Sequence, residues 1–157
     1  MLQIDWPLEA LMAARVLYAT FLGALVGLER QFHGGFAGMR TYGAVALGAC
    51  AFGLVSQHVP NIPDPSRIAA QVVSGIGFIG AGLILRDRGG ITGLTTAATI
   101  WAVAAVGLAT AFGMYVLATL TAILILALLA AHHLPGWSRL GIHHQEERHP
   151  DPPASEK

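Results

Sequence analysis

Charge is what this sequence has least of. Only 11% of its 157 residues are charged and the formal net charge is zero, so no nucleic-acid partner is expected. Acidic groups are missing from the middle of every long apolar run: Glu9, Glu29, Asp64 and Asp87 all fall near run ends. A magnesium pathway needs hard oxygen ligands, from carboxylates or ordered carbonyls. The scarcity therefore weakens a transport reading, although single residues from several copies could assemble a ring. Cysteine is nearly absent. Cys50 stands alone in an apolar run, which excludes an intrachain disulfide, and nothing beside it suggests a metal site. No Ser-His-Asp arrangement, metalloprotease motif or phosphate loop is evident, so the chain is not expected to be an enzyme and no cofactor is implied. Residues 1–7 also lack the basic start of a cleavable signal peptide.

What the chain has in abundance is apolar sequence. Hydrophobic residues make up 54% of it, and their grouping into long runs marks an integral membrane protein. The fold class is all-α: a bundle of five transmembrane helices at about 8–28, 41–59, 67–86, 92–111 and 114–132. Residues 1–137 form this domain in the lipid bilayer, and 138–157 read as a short, polar, disordered tail. The nineteen glycines point to tight helix packing, because small residues let backbones approach where lipid removes the hydrophobic drive.

Residues 64–99 are the predicted centre. Asp64-Pro65-Ser66 is a helix start, with Asp as cap and Pro at the first helical position. From Ile68 to Leu85 there is no charge. At 100° per residue Ala70, Ser74, Gly77 and Ala81 share one face, and Gln71, Gly75, Phe78 and Gly82 the next. Two adjacent small faces predict a helix central in the bundle, with Gly75, Gly77, Gly80 and Gly82 as packing residues. Gly75 to Gly80 also matches the dinucleotide fingerprint GxGxxG. That motif requires a preceding strand, and here it lies inside an apolar helix, so it is read as packing. Arg86, Asp87, Arg88, Gly89 and Gly90 form the predicted turn, and Thr92 is the expected cap of the next helix. Thr95, Thr96 and Thr99 either bond back to their own helix carbonyls or line a polar pocket under the turn.

In the first span Gly23 and Gly27 form a GxxxG pair. Arg15 interrupts the same span, about 10 Å from its N-terminal end. It either snorkels to the near interface or is paired inside the bundle. Glu29 lies about 21 Å from Arg15 along the helix, too far to be its partner. The first loop is placed at residues 29–40. The fifth span, rich in Leu and Ile, is expected to face lipid. With the N-terminus outside and the C-terminus in the cytoplasm, Arg30, Arg40, Arg86, Arg88 and Arg139 fall inside and only Arg67 outside, as the positive-inside rule asks.

Three stretches then line up in order: 23–30 (GALVGLER), 37–41 (AGMRT), and 64–101 from DPSR to GLTTAATIW. Together they resemble the MgtC/SapB family of bacterial inner-membrane proteins, over about residues 8–130. The resemblance implies a five-span inner-membrane protein associated with growth in scarce magnesium and, in pathogens, with survival inside macrophages. Some members are described as inhibitors of the F-type ATP synthase. Thr95 stands where the virulence-linked members carry Asn, and those members continue into a folded cytoplasmic domain. The expectation is a regulator that binds the ATP synthase or another membrane protein, with an ion transporter or channel as the alternative. Arg15, Glu29, Arg30, Arg40, Asp64, Arg67, Arg86, Asp87, Arg88, Thr95 and Thr96 are the candidate functional residues. The small-residue faces also suit a homodimer.

Overall fold

A computed structural model describes residues 5–58, 64, 66–87 and 90–131. Five helices and one small hairpin follow in order: α1 (Trp6–Phe32), α2 (Met39–His58), α3 (Ser66–Leu83), β1 (Leu85–Asp87), β2 (Gly90–Thr92), α4 (Leu94–Ala111) and α5 (Tyr115–Ala131). Helices α1 to α4 are each long and apolar enough to cross a membrane. The 17-residue α5 is apolar throughout.

Local chemistry sets the helix ends. Asp5 caps α1 by accepting the Leu8 N–H at 3.3 Å, and Pro7 sits in the first turn. The helix does not stop at Leu28 as expected but runs on to Phe32. Glu29, Arg30 and Gln31 favour helix, and the first residue that breaks it is Gly34, at φ 71°. Asp64 caps α3 by accepting from the Ser66 N–H at 2.8 Å and the Ser66 hydroxyl at 2.6 Å. Those bonds hold its carboxyl below the ordinary 3.8.

The turn after α3 departs from the expectation. The helix ends at Leu83, three residues early, and an antiparallel hairpin follows with Leu85 opposite Thr92, Arg86 opposite Ile91 and Asp87 opposite Gly90. Thr92 is therefore strand, not cap. The residue at the N-cap of α4 is Gly93, in the left-handed region at φ 85° and with no side-chain bond. A side chain at Gly93 would collide with the Leu83 carbonyl, so the hairpin closes only around glycine.

The bundle is centred on α4, not α3. Helix α4 packs against all four other helices, and nine of its residues are buried, from Thr96 to Ala111. Tyr42, Ile100, Val26 and Val103 are the largest side chains fully enclosed in the core. Helix α3 buries only Ile76 and Gly80. An added Cβ at Gly75, Gly77 or Gly82 would meet nothing within 4 Å, and at Gly80 only Ala97, at 3.7 Å. Of the four glycines assigned to packing on α3, one touches another helix. Small residues permit close approach but do not compel it, since lipid solvates an apolar face as well as a helix does.

The GxxxG of α1 does pack as expected. A methyl added to Gly23 would stand 2.6 Å from the Ala46 Cβ and 2.7 Å from the Tyr42 carbonyl oxygen. One added to Gly27 would stand 2.7 Å from the Met39 Cα. The α2–α4 crossing is equally close, with Gly53 against Ala111 and Gly107 against Ala49. Helix α5 buries Ala118, Ala122, Ile125 and Leu129 and exposes Val116, Leu120 and Leu128, in keeping with a lipid-facing side.

Candidate functional site

Helices α2 and α4 start at the same end of the bundle, where α1 finishes, and this end gathers most of the polar candidates. Tyr42, in the first turns of α2, is fully buried, and its hydroxyl shares a short hydrogen bond with the Thr99 hydroxyl of α4. Thr99 also donates to the Thr95 carbonyl at 2.8 Å and the Thr96 carbonyl at 3.1 Å. Of the three threonines, Thr99 bonds back to the carbonyls of its own helix, and its hydroxyl also meets Tyr42 of α2. Thr96 is buried, whereas Thr95 is exposed.

Glu29 and Arg30 close this cluster from α1, near enough to the Tyr42 hydroxyl to act on it electrostatically. Glu29 pairs with His33 one turn on, Oε1 to Nδ1 at 3.1 Å. Among the described residues its other oxygen, Oε2, is enclosed without a hydrogen-bond partner, and so is Arg30 Nε. The Arg30 guanidinium folds over Gly35, whose N–H donates to the Arg30 carbonyl at 2.8 Å. At this end of the bundle Arg40 and Arg86 are exposed, as are the rings of Phe32 and Phe36. Asp87 pairs through its backbone with Gly90. Arg88 and Arg139 lie outside the described residues.

The remaining candidates sit at the opposite end. Arg15 is paired rather than snorkelling. Its Nη1 donates to the Ala111 carbonyl at 2.8 Å and its Nε to the Tyr115 hydroxyl at 3.0 Å. Ala111 is the last residue of α4, so the cation stands at the negative end of a helix dipole, and Gln57 donates to the same carbonyl at 2.9 Å. This is a clamp that holds α1, α2, α4 and the start of α5 together. Asp64 and the exposed Arg67 lie at the start of α3. Cys50 is buried as a free thiol. Among the described residues no group of three His, Cys, Asp or Glu side chains is placed to hold a metal ion.

Tyr42, Gln57, Tyr115 and Gly107 are the structurally important residues that the sequence reading passed over. Tyr42 carries one usable signal, a phenol inside an otherwise small-residue span, which must find a hydrogen-bond partner in the apolar region.

The fold and its polar ends define a helical multi-pass membrane protein. The sequence profile of the MgtC family matches residues 16–134, and the chain belongs to that family. It is 44% identical over 125 residues to Protein MgtC of Brucella abortus (strain 2308), covering 80% of this chain and 52% of the relative. It is 46% identical over 111 residues to Protein MgtC of Salmonella typhimurium (strain LT2), covering 71% of this chain and 48% of that one. The chain thus spans about half the length of these relatives. No solved structure matches it.

Proposed function

We propose that this chain is an MgtC-like regulator of the bacterial inner membrane that acts by contact with another membrane protein, in adaptation to scarce magnesium. The observation that carries the reading is the arrangement of one bundle end. Arg40 and Arg86 stand exposed there, as do the rings of Phe32 and Phe36, while Tyr42 and Thr99 are bonded to each other beneath as its support. Basic and aromatic side chains on a rigid base suit docking onto a protein surface at the membrane edge. All five helices cross the bilayer in this reading, with the N-terminus outside and this end in the cytoplasm. The F-type ATP synthase is the first partner to test. ATP-driven proton pumping is measured in inverted membrane vesicles with and without the chain, at matched synthase content. Inhibition that is lost in an inserted Arg86→Ala variant supports the reading, and unchanged pumping sinks the synthase as partner.

A second reading, an ion pathway, is favoured by one observation. Among the described residues Glu29 Oε2 and Arg30 Nε are enclosed without hydrogen-bond partners. Magnesium flux into liposomes above that of a Glu29→Gln control tests it.

A further inference from the structure

The α1–α2 and α3–α4 pairs carry a matching sequence pattern. In the first helix of each, Phe21-Leu22-Gly23-Ala24 corresponds to Phe78-Ile79-Gly80-Ala81. In the turn and the start of the second helix, residues 34–41 (GGFAGMRT) correspond to residues 89–96 (GGITGLTT). The first stretch is offset by 57 residues and the second by 55, and the structure follows both offsets. The two buried residues of α3, Ile76 and Gly80, are the counterparts of Ala19 and Gly23, both buried on α1. Gly23 faces the Tyr42 backbone, and Gly80 faces that of Ala97, the counterpart of Tyr42. The Gly38 carbonyl accepts from the Tyr42 N–H at 3.1 Å, and the Gly93 carbonyl from the Ala97 N–H at 2.9 Å. Helix α1 packs on α4 as α3 packs on α2, with α2 against α4 in the middle. A pseudo-two-fold axis therefore runs between α2 and α4, along the bundle.

Helix α5 breaks this symmetry by covering the groove between α1 and α4. Two α1 residues hold it there. Tyr18 bonds the Thr119 hydroxyl at 2.6 Å and packs edge-on against the Tyr115 ring, and Arg15 bonds the Tyr115 hydroxyl. In the repeat register, Arg15 and Tyr18 correspond to Val72 and Gly75 on α3. Those two residues line an open groove of about 530 Å³ between α2 and α3. The groove is thus the second seat of the repeat, shaped for a helix but stripped of the polar clamp that fixes α5.

We propose that the α2–α3 groove is the seat for α3 of a second copy of this chain, each copy's α3 lodging in the other's groove. Copies inserted in the same orientation are related by a two-fold axis along the membrane normal, so like-numbered residues meet at one depth. Gln71 lies on the groove wall, is exposed, and has no hydrogen-bond partner among the described residues. A side-chain amide is both donor and acceptor, so two Gln71 side chains satisfy each other across such an axis. Gly75 and Gly82, on the same face as Gln71, open onto free space and let the two backbones close. Phe78, 85% exposed on the same helical face as Gln71 and Gly75, then enters the gap that Gly75 leaves where α1 has Tyr18. The contact stands or falls separately from any regulatory partner.

The test is cysteine cross-linking of the full chain in its membrane. Single cysteines are placed at Gln71, Gly75 or Phe78 in a Cys50→Ala background, with Gly77→Cys on the far side of α3 and Val116→Cys on the exposed face of α5 as comparisons. Copper-phenanthroline oxidation should give disulfide dimers at the groove positions, several-fold above both comparisons. Adding Gln71→Leu to Phe78→Cys should lower the dimer fraction several-fold, and adding Gln71→Asn should retain most of it. Equal cross-linking at all five positions, none at the groove positions, or groove cysteines joined only to a different protein would each overturn the proposal. Gly75 and Gly77 face open space, so those substitutions leave the protomer able to fold.

Discussion

Gly23→Ala and Gly77→Ala are the same chemical change on two helices, and the structure gives them opposite signs. At Gly23 the new methyl would lie 2.6 Å from the Ala46 Cβ and 2.7 Å from the Tyr42 carbonyl oxygen. Ordinary carbon contacts are about 3.5–4.0 Å, so α1 and α2 must part by roughly 1 Å. The obstacle is partly backbone, which cannot rotate away, and the separation also pulls on the Tyr42–Thr99 hydrogen bond. Over-packing of this kind costs about 1–3 kcal/mol, and with backbone in the way the upper part of that range applies. Better helix propensity returns about 1 kcal/mol. The net loss is then about 1–2 kcal/mol. At Gly77 nothing lies within 4 Å, so only the propensity gain of about 1 kcal/mol remains. The two variants should differ by about 2–3 kcal/mol. Titrating purified protein from mild detergent into SDS, followed by tryptophan fluorescence and circular dichroism, reads this difference. Equal losses in the two variants would mean that α3 is packed inside the protomer, and the arrangement described here would be wrong.

Arg15→Ala should loosen α5, because it removes charged hydrogen bonds to Ala111 and Tyr115. The expected loss is roughly 2–3 kcal/mol in the same titration, with Arg15→Lys recovering part of it. Tyr42→Phe removes the bond to Thr99 from a fully buried site and should cost about 1 kcal/mol. A loss no greater than that of an exposed Phe52→Leu control would argue against the cluster. For Asp64 the sign follows from its lowered pKa. The cap contributes fully above the ordinary carboxylate range and is lost as pH falls through the depressed folded value. An acid limb in thermal stability should therefore be smaller in Asp64→Ala than in the parent, and identical limbs would remove Asp64 as the cap of α3.

Much of this protein is legible from its sequence. The apolar runs give the helices, because a lipid-exposed backbone has to satisfy its own hydrogen bonds over a fixed length. Asp64 and Ser66 give a cap from local chemistry alone, and Gly23 and Gly27 give a contact whose partner helix is the next one in the chain. The sequence also places a charge at Arg15 that must either reach the interface or find a partner, and it carries the family motifs. It does not say which helices meet. A glycine face reads the same whether it meets another helix of the chain, a second copy or lipid, so Gly75, Gly77 and Gly82 suggested a central α3 that the folded chain leaves at the edge. Tertiary structure decided that α4 is the hub, that Arg15 caps a helix end ninety-six residues away in sequence, and that Tyr42 reaches Thr99. These are long-range contacts between parallel and antiparallel helices. Their depth and rotation are set by how whole helices pack, which no local pattern in the chain encodes.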